Sequence, residues 1–220
     1  APTLFLHNYL DMTDATATCR PGDIGDVDDC IEQRVRGRTL GFELLVRRPL
    51  TRRLTGWVSY TLSRSTRDIR APQILDLTED VIGQRLGRRV ETVLSDFDRT
   101  HVLNVVVAYD LGRNWRVGGR TVYYTGRPYS NRFRGIAVPP LNERRLPDFF
   151  RVDLRIEKRW LTKTGYVAFV AEGLNVTANR EVLDVRCRPS RSLVALDQCE
   201  PDTSGSIPVI VPSLGVEGMF

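Results

Sequence analysis

The chain has 220 residues, of which 41% are hydrophobic and 27% are charged, and its 32 Lys and Arg residues exceed its 27 Asp and Glu residues by five. This composition excludes a disordered tail, and no run approaches the roughly 18 consecutive apolar residues of a membrane-spanning helix. A nucleic-acid-binding protein gathers its cations on one face or in one tract. Here the arginines are scattered, often at every second position with acids between them, so we expect no nucleic-acid partner.

Alternating polarity predicts β-strands along most of the chain. In residues 149–158 the apolar side chains occupy one parity and the charged side chains the other, which places the two sets on opposite faces of a strand. The charged side chains on that face form a ladder that consists of Arg151, Asp153, Arg155, Glu157 and Arg159. Similar patterns predict strands at residues 38–47, 54–64, 101–109, 115–124, 166–175 and 209–220, with residues 1–10 as an eighth candidate of poorer alternation.

The connectors between these strands alternate in length. Residues 49–53, 110–114 and 161–165 are short connectors, whereas residues 65–100, 127–148 and 176–208 are long ones. Outer-membrane barrels have short turns at one rim and long loops at the other, and strands of about 9–12 residues suffice for a tilted crossing. The pattern predicts an all-β fold, an antiparallel transmembrane β-barrel segment of about seven or eight meandering strands whose charged parity faces a polar lumen.

Aromatic residues cluster near both ends of the predicted strands. One group lies beside the short connectors and a second lies toward the long ones; the residues are Trp57, Tyr109, Trp115, Trp160 and Tyr166, and then Tyr123, Tyr124, Tyr129, Phe149 and Phe150. Amphipathic rings favour the headgroup level of a bilayer, which predicts an aromatic girdle at each rim. The alternative is that strands are rich in aromatic residues in any fold.

The four cysteines fall into two local pairs, each within a long irregular segment. Cys19 and Cys30 are 11 residues apart, and Cys187 and Cys199 are 12 apart. Without a neighbouring His or a C-x-x-C motif, the pattern does not match a zinc site. It predicts the disulfides Cys19–Cys30 and Cys187–Cys199 and therefore an oxidising, extracytoplasmic compartment. The alternative is four buried free thiols.

Several phrases, in order, carry a resemblance to a known family. Residues 37–65 read GRTLGFELLVRRPLTRRLTGWVSYTLSRS, residues 95–130 contain DRTHVLN and YYTGRPY, and residues 146–160 read LPDFFRVDLRIEKRW. VAEGLNVTANR and the final IPVIVPSLGVEGMF follow. In this order and spacing the sequence resembles the C-terminal end of a TonB-dependent outer-membrane receptor.

The resemblance implies one part of a barrel of about 22 strands that is closed by a plug. Residues 1–36 would then be an extracellular loop with a candidate strand before it, and residues 37–220 would be C-terminal barrel strands and loops. The expected function is import of a scarce ligand, such as an iron chelate, cobalamin or a glycan, across the bacterial outer membrane. Plug and TonB contacts would belong to an N-terminal part outside this sequence.

Further expectations concern partners and individual residues. The final aromatic residue, Phe220, resembles the signal read by the barrel-assembly machinery, and we expect contacts with outer-membrane lipid and lipopolysaccharide. The ladder could bind the plug or an anionic ligand, although cross-strand charge pairing is the favoured interpretation. We expect no cofactor, no metal and no enzymatic activity.

Three other interpretations stay open. A complete eight-stranded barrel with a structural or adhesin role requires residues 1–10 to pair with residues 209–220. An outer-membrane hydrolase would need a site built on His7 or His101, and neither lies in a catalytic motif. A soluble β-sandwich would need the apolar parity to be buried in a water-soluble core.

Overall fold

The computed structural model describes residues 1–15, 31–70, 90–133, 136–138, 140–190, 195–204 and 207–219. These residues confirm the predicted all-β, antiparallel architecture, and they contain no helix long and apolar enough to cross a membrane. The strands are β1 (Pro2–Ala15), β2 (Ile31–Thr51), β3 (Leu54–Arg70), β4 (Val90–Leu94), β5 (His101–Gly112), β6 (Trp115–Tyr124), β7 (Pro128–Tyr129), β8 (Arg132–Phe133), β9 (Ile136–Ala137), β10 (Arg144–Arg145), β11 (Phe149–Leu161), β12 (Tyr166–Leu174), β13 (Val185–Arg188), β14 (Gln198–Pro201) and β15 (Val211–Met219).

The long strands form one antiparallel meander. Their order is β1-β2-β3-β5-β6-β11-β12-β15, and β4 adds to the far end of β3. Sequential neighbours therefore pair throughout, as expected for strands joined by hairpins. Within the described residues no pairing joins β1 to β15, so these strands form an open sheet and do not supply the closure that a complete eight-stranded barrel requires.

The two ends of the sheet differ in their connections, as the sequence predicted. Three short turns lie at one end, which we call the turn side, and the long segments lie at the other, the loop side. The β2–β3 turn is Arg52–Arg53 and the β5–β6 turn is Arg113–Asn114, in which both residues have positive φ. That conformation matches the right-handed twist of a two-residue hairpin.

The strand register sorts the side chains onto two faces. Paired residues of antiparallel strands point to the same side. Leu154 pairs with Gly119, and Val107 pairs with both Gly119 and Gly56, so these positions share one face across four strands. We call this the apolar face. Its large exposed side chains include Leu4, Leu40, Val46, Tyr109, Trp115, Phe150, Ile156, Trp160, Phe169, Leu214 and Val216.

The opposite surface, the polar face, carries the charged ladder of β11. It also carries an aromatic row on β1, where the rings of Phe5 and His7 are 5.4 Å apart and those of His7 and Tyr9 are 6.4 Å apart. The Phe5 ring lies directly over Gly41 of β2, where no side chain occupies the space. Because apolar rings take the polar-face positions of β1, its alternation of polarity is poor in the sequence, although residues 2–9 pair with β2 without a register shift.

Two sequence-based expectations need correction. Several strands are longer than predicted; β2, for example, spans Ile31–Thr51 where the alternation indicated only residues 38–47, because backbone pairing with its neighbours continues past the alternating stretch. Four residues of the predicted aromatic girdles lie on the polar face, because their pairing partners belong to it. They are Trp57, Tyr124, Phe149 and Tyr166, with the partners Val106, Val102, Tyr124 and Met219. These residues do lie near the ends of their strands, but the face on which a side chain lies is decided by its odd or even position along the strand.

A polar cluster around Asp98 holds the loop-side ends of the strands together. Asp98 is 1% exposed, and its carboxylate accepts hydrogen bonds from Ser65 N at 2.6 Å and from Arg145 Nη2 at 2.5 Å. Arg145 also donates to Gly126 O at 2.9 Å and to Thr100 Oγ1 at 2.8 Å. Residues far apart in the chain thereby brace the first two long segments against the sheet.

Gly126 occupies the tightest point of this cluster. A Cβ atom built there would lie 1.8 Å from Leu146 O, whereas a Cβ at Gly215 of β15 would meet nothing within 4 Å. Gly126→Ala is therefore expected to lower the free energy of unfolding by about 1–3 kcal/mol or more, as overpacking against backbone does. Gly215→Ala should change it by less than about 0.5 kcal/mol. Midpoints of urea unfolding for the two variants check this, and equal midpoints would contradict the packing described here.

Candidate functional site

The ladder residues of β11 form ion pairs on the polar face, with Arg155 at their centre. Its guanidinium lies 2.5 Å from Glu172 Oε1 and 3.0 Å from Glu217 Oε1, so it joins β11 to β12 and β15. It also lies 3.2 Å from Glu157 Oε2 on its own strand, and Arg159 pairs with the other oxygen of the same carboxylate. Two arginines and three carboxylates thus form one continuous network.

The remaining ladder residues form a second group near the loop side. Arg151 Nη2 lies 3.0 Å from Asp153 Oδ2, and Asp153 Oδ1 accepts a hydrogen bond from Asn175 N at 2.9 Å. Asn175, with a φ of 53°, lies just after the last residue of β12, and its amide group donates to Asn179 O and Val209 O. Asp153 therefore fixes the point at which β12 ends and the following loop begins.

Along the middle of β11 the acidic side chains are buried and the aliphatic side chains are exposed. Glu157 is 4% exposed and Asp153 is 8% exposed, whereas Leu154 and Ile156 between them are 52% and 42% exposed. Leaving such carboxylates unpaired would be costly, and the arginines supply the compensating charges.

Glu172 and Glu217 were not among the site residues assigned from the sequence, although both lie on the polar face. Glu172 was visible as the single charge opposite Val167 and Phe169 in the β12 pattern. Glu217 belongs to β15, where Pro and Gly interrupt the alternation and weaken that signal. Only the register, in which Arg155 pairs with Glu172 and Glu217 pairs with Ala168, shows that both reach the same guanidinium.

A pocket of about 290 Å³ opens near the turn side. Its lining includes Trp57 and Arg47, which pair across β2 and β3, together with Val106 and Ala108 of β5. All four lie on the polar face. Arg47 makes no ion pair within the described part of the chain.

Of the two predicted disulfides, Cys187–Cys199 is confirmed and links β13 to β14 on the loop side. Cys19 and Cys30 lie outside the described residues, so their pairing stays a prediction. Next to this hairpin, Ser204 donates two hydrogen bonds to Asp202 and Arg186 lies 3.4 Å away, which together lower the pKa of Asp202 below its ordinary value. The hairpin is thereby stabilised covalently and by charge.

The other sequence-based candidates have separate positions. At the loop-side end of β5, His101 Nδ1 and Tyr60 Oη share a hydrogen bond of 2.8 Å, and the two rings are stacked. His7 lies on β1 between the rings of Phe5 and Tyr9. The two histidines belong to different strands, since β1 is an edge strand and β5 lies three strands away in the interior of the sheet. Within the described residues no group of three or more His, Cys, Asp and Glu side chains could hold a metal ion. Phe220 lies outside the described residues.

Comparison of the chain with protein-family models, with curated proteins and with solved structures finds no match. The resemblance to TonB-dependent receptors therefore stays a prediction carried by the sequence phrases quoted above.

The ladder supports a direct test of the role of Arg155. Arg155→Met leaves Glu172 and Glu217 without their shared cation and is expected to lower the free energy of unfolding by about 1–3 kcal/mol, less than for a fully buried pair because the side chain is partly exposed. Replacing both glutamates by Gln in that background should recover most of the loss, because it removes the uncompensated charges.

Arg120→Met is the matched control. Arg120 lies on the same face, but its one side-chain hydrogen bond among the described residues is to Asn104 Oδ1 at 3.5 Å and it makes no ion pair there, so we expect a change below about 0.5 kcal/mol. Denaturant unfolding of the unsubstituted chain and of these three variants measures the differences. An equal loss for Arg155→Met and Arg120→Met would contradict the central position of Arg155.

Proposed function

We propose that this chain is the C-terminal wall of a TonB-dependent receptor in the bacterial outer membrane, which imports a scarce ligand such as an iron chelate, cobalamin or a glycan. The observation that carries the proposal is the polarity of the sheet, in which large aliphatic side chains such as Leu40, Leu154 and Leu214 are exposed on one face while Asp153 and Glu157 are buried on the other. The family assignment rests in addition on the sequence phrases and their order.

The apolar face requires an apolar environment. Leu40 on β2, Leu154 on β11 and Leu214 on β15 are all exposed by half or more, and they lie on strands spread across the sheet. A soluble domain covers such a face with a second layer of helices or strands. The described residues contain no second layer, and lipid acyl chains would fill that role.

The staggering of the turns supports strands that are tilted in a membrane. Leu54 lies next to the β2–β3 turn, and the residues paired with it across the following strands are Tyr109, Val117 and Ile156. Ile156, however, lies five residues before Leu161, where β11 ends at its own turn. If the turns share one plane, this is a shift of about 16 Å along the strands for about 14 Å across the sheet. The corresponding tilt is about 45–50°, near the tilt of about 45° of transmembrane barrel strands.

The polar face suits the interior of such a receptor. Its cross-strand ion pairs need contact with water or with a polar plug, and arginines without a carboxylate partner in the described residues, such as Arg47 and Arg120, remain able to bind carboxylates or phosphates. The long loop-side segments, braced by Asp98 and by the Cys187–Cys199 disulfide, would face the outside and receive the ligand.

The membrane assignment is tested by placing the same charge on each face. Leu154 on the apolar face is 52% exposed, and Leu45 on the polar face is 43% exposed. The two lie at similar depth, since Leu154 is seven residues from the end of β11 at Leu161 and Leu45 is seven residues from Arg52 in the β2–β3 turn. In lipid vesicles, Leu154→Arg should reduce the free energy of folding by about 2–4 kcal/mol. Leu45→Arg, the matched control, should cost less than about 1 kcal/mol.

Reversible unfolding from vesicles in urea provides the measurement. Equal effects of the two substitutions would contradict a lipid-facing apolar face. Failure of the unsubstituted chain to enter vesicles at all would contradict the proposed function as a whole.

A further inference from the structure

Cations gather on the turn side of the sheet without carboxylates to neutralise them. Six exposed or half-exposed side chains there form what we call the turn-side collar, and they are Arg48, Arg52, Arg53, Arg113, Lys158 and Lys163. The turn-side carboxylates of Asp110, Glu157 and Glu217 belong to the polar face. Asp110 accepts a hydrogen bond from Gly112 N, and the two glutamates pair with the ladder arginines. Within the described residues no collar side chain takes part in an ion pair.

The collar includes positions for which turn chemistry favours other residues. Arg52 has a φ of 60° and Arg113 has a φ of 52°. Gly, Asn and Asp are the residues that fill such left-handed positions in two-residue hairpins, and a residue without their conformational freedom is strained there. Arginine at these two positions therefore does not favour the turn conformation, and what it adds to the turn is a positive charge.

The side chain of Lys158 extends from the apolar face toward the turns. It lies on the apolar face, between Ile156 and Trp160, yet its ammonium group turns toward the β5–β6 turn. There Nζ donates to Arg113 O at 2.6 Å and lies 5.1 Å from the centre of the Trp115 ring. A long cationic side chain whose stem covers apolar surface while its charge reaches the polar boundary is snorkelling.

The cations of the collar lie at the same end of the sheet as a band of amphipathic aromatic side chains. Tyr109, Trp115 and Trp160 are exposed on the apolar face near the turns, and Lys158 lies at the same end of the sheet. Arg48 lies on the apolar face as well, since it pairs with Gly56. Arg48 and Lys158 are equally far from their turns, because each lies four residues before the first turn residue, Arg52 or Thr162. Aromatic rings and cations thus lie together near the turns, as they do at the headgroup level of a bilayer.

We infer that the turn-side collar binds the phosphate groups of anionic glycerophospholipids, such as phosphatidylglycerol, in the leaflet at the short turns. The inference rests on the proposed membrane location and adds a lipid preference to it. Arg guanidinium groups match phosphate oxygens geometrically, and rows of cations at a membrane boundary attract anionic headgroups. The phosphates complete the charge balance that no carboxylate of the described residues provides.

The test compares two variants that lose the same charge at opposite ends. The collar variant is R48Q/R52Q/R53Q/R113Q in the full 220-residue chain. The control variant is R132Q/R144Q/R180Q/R188Q, which removes four exposed loop-side arginines that are in no ion pair. Each protein is refolded into mixed micelles with equal amounts of phosphatidylglycerol and phosphatidylcholine, and native mass spectrometry counts the lipids retained.

The unsubstituted chain and the control variant should retain phosphatidylglycerol over phosphatidylcholine by about tenfold, and the collar variant should approach parity. Added salt should weaken the preference of the first two proteins. An unchanged preference in the collar variant, or an equal loss in both variants, overturns the inference.

The outcome separates this inference from the proposed function. A chain that enters neutral phosphatidylcholine vesicles but shows no lipid preference would overturn the collar as a phosphate site and leave the membrane assignment intact. A chain that enters no vesicle of either composition would overturn both.

Discussion

Three carboxylates from three adjacent strands converge on one guanidinium, and the orientation of the whole sheet depends on that contact. Glu172 and Glu217 reach Arg155 only because β11, β12 and β15 have one particular register, whereas Glu157 lies two residues away on the same strand. A slip of one residue in a strand moves all of its side chains to the other face. It would place Arg155 on the apolar face and Leu154 among the carboxylates, so the ion pairs and the exposed leucines specify the same register.

The two ends of the sheet have different chemistry on this common frame. On the loop side, Asp98 and Arg145 form a nearly buried ion pair that braces the long segments, and the Cys187–Cys199 disulfide stabilises a peripheral hairpin. On the turn side the connections have only two to four residues, and the cations of the collar make no ion pair within the described residues. The loop side is thus built to hold irregular chain in place, whereas the turn side is built to meet an anionic surface.

The sequence predicted the strands and their faces wherever one parity is apolar and the other is charged. In β11 the alternation from Phe150 to Arg159 identified both the strand and its ladder. It failed on β1, because Phe5, His7 and Tyr9 make the polar face look apolar. It also placed Trp57 in a girdle on its distance from a turn, although its parity assigns it to the other face.

Contacts between segments distant in sequence could not be predicted. Nothing in the pattern around Glu217 indicates that Arg155, 62 residues earlier, is its partner. The cluster around Asp98 likewise joins three loop segments whose order along the chain gives no distance between them. Such contacts depend on how many strands lie between the segments and on the stagger of each pair, which only the assembled sheet determines.

The three tryptophans of the chain allow the most direct test of the two-faced sheet, because Trp115 and Trp160 lie on the apolar face and Trp57 lies on the polar face. Fluorescence of three single-tryptophan variants would be measured in vesicles whose acyl chains are brominated near the headgroup. The account predicts strong quenching of Trp115 and Trp160 by the lipid, and protection of Trp57. Equal lipid quenching of all three residues, or quenching of Trp57 alone, would contradict it.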